Sequence, residues 1–416
     1  MHSTAIFLLL NFIPSLSARA TLPRRGQANL IPITAKKSPE GNFFDVKVTL
    51  GDTTLKLLAD TGSSDLWVAR TGFQCFDRMN NTQLAPPEVC MYEDVPKYDP
   101  LASSTFSKLD NLTFGASYGA GIALGIVGTE EVKIADFSVH SQTIGVADRI
   151  TIPGDGASSG ILGLGYPILT SAHPGNSVAN DTLSLLTNKV LYKPLLFHMH
   201  AQGLIPSWFS LKLDRLRKGQ SVGKGGTLGL GVLPDVKTNG SFVTVPVEVT
   251  DALPVELTGG KISEWTLTVD GAVWSAGDLS GAAETNSTHF QAVVDSGNFF
   301  NQLPREIADQ INAEFTPPAS YDPATDSYPV SCDAIPPSFG IVIAGTTFSQ
   351  HPQDMIFQLP NGTCLSTIKR SGMAEGIALN FLGASWLQNI VAMFDFGKNE
   401  MHFARRADDG ARCRLS

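Results

Sequence analysis

The sequence is poor in charge. Only 17% of its 416 residues are Asp, Glu, Lys or Arg, against 43% hydrophobic. That balance excludes a disordered chain and leaves ample apolar surface for a core. Basic residues are the scarcer sign, with a formal net charge of −9, so the electrostatic footprint of a nucleic-acid partner is missing. Acid would protonate few carboxylates and generate little self-repulsion, which fits work in an acidic medium. Past the first residues no apolar run is long enough to span a bilayer, and the tail from Arg405 to Ser416 is polar. Neither a membrane helix nor a lipid anchor is expected. Cysteine is sparse: five residues allow two disulfides and one left over, Cys413. Cys75 and Cys90 lie close together in a polar stretch and would close a loop. Cys332 and Cys364 flank the strand-like run Ile341 to Ala344 and would staple two strands, although the residues alone do not fix the pairing.

Several signals for other chemistry are incomplete. His198-Met199-His200 lacks a third ligand nearby, so no metal and no cofactor is expected. Gly223-Lys224-Gly225-Gly226 reads as a turn, because no Gly-Lys-[Ser/Thr] follows at phosphate-loop spacing. Gly156-Ala157-Ser158-Ser159-Gly160 fits G-x-S-x-G, but without a strand-to-helix context or evident His and Asp partners. The basic face Lys212 to Lys218 reads as solvated.

What is present begins at the amino terminus. Ala5 to Leu10 is a short apolar run, followed by Ala18-Arg19-Ala20, the pattern of a cleaved secretory signal. Residues 1–20 are therefore expected to be a signal peptide, and 21–27 a short pro-segment or unstructured start, with Arg24-Arg25 as a dibasic processing point. The expected location is secreted and extracellular. Six N-x-[ST] sequons, at Asn80, Asn111, Asn180, Asn239, Asn286 and Asn361, agree with that compartment.

From Asn42 onward short β-rich runs alternate with turns, and 39 Gly and 25 Pro supply the turn formers. Phe43 to Leu50 alternates in polarity, and Gly51-Asp52 turns it into Thr53 to Leu58. Comparable runs recur at 131–134, 143–147, 208–213, 227–233, 242–249, 265–274, 291–295, 341–343 and 391–396. Helical patterns are few: Asp181–Thr187, Pro304–Phe315 and Gly383–Asn389. The chain is mostly β. Its length suits two domains, and Val232 to Gly240 reads as the seam, giving halves at 28–236 and 237–416.

The halves echo each other. Each holds an apolar run ending in Asp-[Thr/Ser]-Gly: Leu57-Leu58-Ala59-Asp60-Thr61-Gly62 and Ala292-Val293-Val294-Asp295-Ser296-Gly297. Each also has a later apolar-apolar-Gly run, Ile161-Leu162-Gly163 and Phe381-Leu382-Gly383. A carboxylate at the end of a buried strand is costly unless donors hold it. The following Gly lets a bare backbone N–H approach, and the Thr or Ser adds a hydroxyl. Two such loops face to face would share one proton, because like charges at that distance do not both ionise. One carboxylate then acts as base on a bridging water while the other, protonated, hydrogen-bonds the substrate carbonyl.

At these residues the chain resembles a known family. Asp60-Thr61-Gly62-Ser63-Ser64-Asp65-Leu66-Trp67-Val68 is similar to the first active-site signature of pepsin-like aspartic proteases. Tyr118-Gly119-Ala120-Gly121 resembles the family's flap, and Gly160 to Gly165 the strand behind the first Asp loop. Ala201 to Ile205, the second Asp run, Cys332 with Cys364, and Phe381 to Phe403 follow in the family's order, so the resemblance covers roughly residues 28 to 405. It implies a secreted, fungal-type aspartic endopeptidase with a bilobal pepsin-like fold: two β-rich lobes around a central substrate cleft. It also implies Asp60 and Asp295 as the catalytic pair, supported by Thr61, Gly62, Ser63, Ser296, Gly297 and Asn298. The flap residues Tyr118, Gly119 and Gly121, with Trp67 holding Tyr118, would cap the site. The expected partners are polypeptide substrates, met by a monomer and cut at acidic pH beside bulky apolar residues.

Three features depart from the pattern. Asn298 stands where the family usually has Thr or Ser, so the second loop lacks the hydroxyl that Ser63 gives the first. Asp65 replaces a more common Asn. The two Asp are 295 − 60 = 235 residues apart, with extra length expected in the 166–200 and 214–226 loops. Asn298 opens a rival reading, a catalytically weakened binding protein on the same fold. A secreted glycosidase with two carboxylates is a second rival, but matched Asp-[Thr/Ser]-Gly loops give no reason for a sugar-sized gap between the acids.

Overall fold

A computed structural model describes residues 29–77, 83–85, 87–90, 92, 94–176, 187–217, 219–277, 279, 283–374 and 377–407. The expected signal and pro-segment, Asn80, Asn180, Cys413 and nearly all of the helical run Asp181–Thr187 lie outside these residues.

Strands dominate, and the first hairpin illustrates why. Along Gly41–Leu50 the side chains of Phe44, Val46, Val48 and Leu50 are buried while Lys47 faces solvent, the period of two that a half-buried strand requires. Gly51 makes the turn at φ 56°, a left-handed conformation natural to glycine. The chain returns as Thr53–Asp60, paired antiparallel with Leu50 opposite Thr53.

These strands sit within a fourteen-stranded sheet drawn from both halves. From one edge it runs Thr238–Pro246, Glu400–Arg406, Ile390–Asp395, Trp208–Leu213, Val222–Leu230 and Leu30–Ser38, so strands on both sides of the 232–240 seam hydrogen-bond directly. It continues through Gly41–Leu50, Thr53–Asp60, Gly160–Gly163 and Leu66–Cys75, then into the long meander Phe137–Ile150, Gly121–Ile134 and Ser107–Tyr118, and ends at Ala172–Pro174. A five-stranded sheet serves the second half: Thr266–Val269, Phe290–Val294, Phe381–Leu382, Asn301–Leu303 and Ile368–Arg370. The mostly β, bilobal architecture agrees with expectation.

The core is packed with rings where the halves meet. Trp265 is fully buried, with ring centroids 4.7 Å from Tyr166, 5.7 Å from Phe209 and 5.0 Å from Phe394. Rings of this size bring large apolar area plus edge and face attraction, which fixes one half against the other behind the Asp loops.

Two local expectations need correction. Gly223–Gly226 is not a turn but lies within the strand Val222–Leu230, paired with Ala35 to Ile33. A Cβ at Gly226 would stand 1.9 Å from Lys212 O, so these glycines permit close strand approach. Of the 214–226 stretch only 214–217 and 219–221 are therefore loop among the described residues. The helix Leu195–Ala201 was not anticipated: three buried positions, Leu195, Leu196 and Met199, are too few to reveal a 3.6-residue period. The helices Arg305–Ala313 and Ala384–Leu387 fall where the pattern placed them.

Both disulfides form, Cys75–Cys90 and Cys332–Cys364. Among the remaining sequons Asn111, Asn239 and Asn361 are exposed and Asn286 is half-buried.

Candidate active site

The strand Thr53–Asp60 runs out at Asp60, and Phe290–Val294 stops one residue before Asp295. Each is backed by a parallel strand. Leu58, Ala59 and Asp60 pair with Ile161, Leu162 and Gly163, while Val293 and Val294 pair with Phe381 and Leu382. The apolar-apolar-Gly runs are thus the walls behind the two Asp loops. Gly163 and Gly383 are glycine for the same reason: a Cβ would approach Ser64 C at 2.3 Å in the first loop and Phe300 O at 2.3 Å in the second.

The loops are bolted to each other. Thr61 Oγ1 donates to Val294 O at 2.7 Å and Ser296 Oγ to Ala59 O at 2.7 Å. In return Thr61 N donates to Ser296 Oγ at 3.1 Å and Ser296 N to Thr61 Oγ1 at 2.9 Å. All four groups are buried, where an unmade bond costs about 1–3 kcal/mol. The glycines allow the carboxyl groups to meet. A Cβ on Gly62 would fall 2.6 Å from Asp295 Cγ, and one on Gly297 2.3 Å from Asp60 Oδ1.

The two acids are held differently. Asp60 Oδ1 accepts from Gly62 N at 2.8 Å and Asp60 Oδ2 from Ser63 Oγ at 2.5 Å. Asp295 Oδ1 accepts from Gly297 N at 2.8 Å and more weakly from Asn298 N at 3.3 Å. The Asn298 carboxamide folds back on its own loop, its Oδ1 accepting from Phe300 N at 3.2 Å. Burial raises the pKa of Asp60, opposed by Ser63, Asp295 and the glycine N–H groups. Burial followed by the charge of Asp60 holds Asp295 well above the ordinary carboxylate range. The pair interacts directly, and the hydroxyl donor on Asp60, which Asp295 lacks, favours the charged form of Asp60 over that of Asp295.

Above the pair the strands Ser107–Tyr118 and Gly121–Ile134 form a hairpin with Tyr118 opposite Gly121. Trp67 Nε1 donates to Tyr118 Oη at 2.9 Å, and that hydroxyl also reaches Ser63. Trp67, Tyr118, Ser63 and Asp60 therefore form one hydrogen-bonded chain. Gly121, at φ 144°, is needed beside the hairpin's turn, where a Cβ would meet Thr151 Oγ1 at 2.6 Å. Gly119 has open space around it.

A model of the eukaryotic aspartyl protease family matches residues 43–406. The chain belongs to the eukaryotic aspartyl protease family. A probable aspartic-type endopeptidase of Aspergillus fumigatus is 36% identical over 92% of this chain and 82% of its own length. Rhizopuspepsin-1 of Rhizopus niveus is 26% identical over 90% of the chain and 81% of its own length. The aspartic proteinase structure from Irpex lacteus superposes with a TM-score of 0.66 at 19% identity, covering 92% of this chain and 98% of that one. The protein is accordingly an aspartic-type endopeptidase with a pepsin-like fold.

The remaining sequence signals fall elsewhere on this protease. Ser158 is no nucleophile: its Oγ donates to Asp45 Oδ1 at 2.6 Å and Asp155 Oδ2 at 3.0 Å. His198 and His200 bond Gln142 Oε1 and Ile205 O through Nδ1. Among the described residues no cluster of His, Cys, Asp and Glu has metal-binding geometry, and no helix is long and apolar enough to cross a membrane.

Sequence reasoning missed two neighbours of the pair. Asp65, whose replacement of Asn was noted without a role, is buried and accepts from Ser171 N at 2.9 Å and from Tyr192 Oη. It ties Ser171 and Tyr192 to the base of the first Asp loop, and Tyr192 packs on the same cluster as Tyr118. Glu264 is the other, and its only signal was an acid standing beside Trp265 in an apolar run.

Proposed function

We propose that Asp60 and Asp295 are the catalytic pair of a secreted endopeptidase acting on extended polypeptides at acidic pH. The observation that carries this reading is the reciprocal bolting of the Asp loops around carboxyl groups in direct contact. With the shared proton on Asp295, Asp60 is the base that removes a proton from the bridging water as its oxygen bonds the scissile carbonyl carbon. Asp295 gives its proton to the carbonyl oxygen, which becomes a hydroxyl. As the tetrahedral species collapses, the C–N bond breaks, Asp60 returns its proton to the leaving nitrogen, and the hydroxyl proton goes back to Asp295. Gly62 and Gly297 hold the carboxyl oxygens, and Thr61 and Ser296 keep the loops in register. Tyr118, fixed by Trp67, covers the cleft and excludes water. The peptide lies extended, bound through its backbone, with bulky apolar residues favoured at the cut bond.

Secretion rests on the apolar run Ala5 to Leu10 and the Ala18-Arg19-Ala20 site. The exposed sequons at Asn111, Asn239 and Asn361 then carry glycans. A relative from Trichophyton verrucosum named as a probable vacuolar protease A, 26% identical, keeps the vacuole as the alternative compartment. Expression of the whole chain with its own leader decides between them: glycosylated protease in the medium supports secretion, and retention in the vacuole overturns it.

A second reading is favoured by one observation. The Asn298 side chain bonds Phe300 N and gives Asp295 no hydroxyl, so a binding protein with weakened catalysis keeps some ground. Purified protein is incubated with denatured casein, with and without a general aspartic-protease inhibitor. Cleavage that the inhibitor abolishes supports the protease mechanism. Inhibitor binding without cleavage at any pH between about 3 and 7 supports the second reading.

A further inference from the structure

A third buried carboxyl group stands beside the pair and takes no part in the mechanism above. Glu264 is 7% exposed and directly precedes Trp265. The Trp265 indole N–H donates to Leu164 O at 3.0 Å, and Leu164 N in turn donates to Asp60 O at 2.8 Å. On the other side Trp265 O accepts from Val294 N at 2.9 Å. The strand Thr266–Val269 runs antiparallel to Phe290–Val294 with Thr266 opposite Val293. Before the strand begins the chain turns, Thr266 N donating to Glu264 O at 2.9 Å. Glu264 thus directly precedes the residue that bonds the second Asp strand and the segment behind the first.

Little holds its charge there. The hydroxyl of Thr250 reaches Glu264 Oε2 at 3.4 Å, the outer limit of a hydrogen bond, and the same hydroxyl lies 2.5 Å from Thr266 Oγ1. Among the described residues no Lys or Arg pairs with Glu264. The other acids around it are accounted for. Glu248, bridged to Thr266, is held by Thr268 Oγ1 at 2.8 Å and Gln291 Nε2 at 2.9 Å. Asp251, beside Thr250, and Lys261, three residues before Glu264, are exposed. Asp60 is the charge that acts on Glu264, adding to burial in pushing its carboxyl up to about 7.

We propose that Glu264 is a positioning residue of the catalytic pair, one whose negative charge keeps the shared proton on Asp60 and Asp295 and so extends cleavage toward neutral pH. The inference rests on the catalytic reading of those two acids. In acid Glu264 is neutral, and the pair gains or loses its second proton without feeling it. Near neutrality Glu264 ionises, and the field of a carboxylate in a poorly solvated site opposes loss of the last shared proton. The two limbs of the pH profile therefore depend on Glu264 differently, which a packing role would not produce.

The test is kcat/KM on one peptide from about pH 3 to 7.5 for wild type, Glu264→Gln, Glu264→Asp and Thr250→Val, with Asp295→Asn alongside and thermal melts to confirm folding. Glu264→Gln is expected to move the neutral limb toward acid and leave the acid limb in place; about one pH unit of movement reads as about tenfold lost activity on that limb. Glu264→Asp keeps the charge and largely restores the limb. Thr250→Val removes the hydroxyl donor and moves the limb the same way by less. Superimposed profiles for wild type and Glu264→Gln, or an equal loss at every pH, overturn the proposal. If Asp295→Asn still cleaves, the catalytic reading itself has failed. If it is dead while the Glu264→Gln profile is unmoved, only this inference has.

Discussion

At the scale of single residues, the asymmetry of the catalytic pair comes down to one side chain on each loop. Ser63 gives Asp60 a hydroxyl at 2.5 Å, whereas Asn298 spends its carboxamide on Phe300 N and leaves Asp295 with two backbone donors. A hydrogen bond to a charged group contributes about 1.5–3 kcal/mol, enough to decide which acid keeps the proton. Asn298→Ser supplies the missing donor and lowers the pKa of Asp295 toward that of Asp60. The variant is expected to cleave with its neutral limb moved toward acid, by about one pH unit for each 1.36 kcal/mol gained. A kcat/KM profile checks this, and an unmoved limb would mean that the hydroxyl does not reach Asp295.

At the scale of elements, the flap hairpin depends on backbone contact beside its turn as much as on Tyr118. Thr151 N donates to Ile122 O, and Ile122 N to Thr151 Oγ1, both at 2.9 Å. A Cβ on Gly121 would drive into that clasp, and φ 144° is itself strained for any other residue. Gly121→Ala is expected to displace the hairpin tip and lower kcat/KM about ten- to a hundredfold, the order of a 1–3 kcal/mol backbone strain, with the pH profile unchanged. Steady-state kinetics over the pH range separates this from an effect on the acids. Gly119→Ala, at an open position, is the control.

Elements also mark where the sequence was readable. The hairpin Gly41–Asp60 was legible because Phe44, Val46, Val48 and Leu50 alternate and Gly51 stands at the turn. The two Asp loops were legible because chemistry repeats in both halves. The role of Gly223–Gly226 was not, since a glycine that admits a neighbouring strand looks the same in sequence as one that turns the chain. The roles of Asp65 and Glu264 were illegible for a related reason. Their partners, Tyr192 at a separation of 127 residues and Asp60 across the lobe boundary, are set by tertiary packing that no local pattern records.

At the scale of the whole molecule, the chain is built to be more stable in acid. Asp45, 1% exposed, shares the Ser158 hydroxyl with Asp155, and burial and then the charge of Asp155 push its carboxyl up to about 7. Glu264 is likewise pushed up to about 7, by burial and then by Asp60. A folded-state pKa above the unfolded value means that the native protein binds more protons, so stability falls as pH rises between the two values. Each such group costs on the order of a few kcal/mol once ionised. Thermal melts are expected to drop progressively from about pH 4 to pH 7, and Asp45→Asn to flatten part of that slope. A melting temperature that rises over the same window would contradict the assignment.

The measurement closest to the central claim is cleavage of denatured haemoglobin between about pH 3 and 7 by the wild-type enzyme beside Asp60→Asn and Asp295→Asn, each confirmed folded. If the water is activated between these two acids, the wild type cleaves with an acidic optimum and both variants fall to background at every pH. Substantial cleavage by either folded variant would contradict the claim and place the chemistry on other residues.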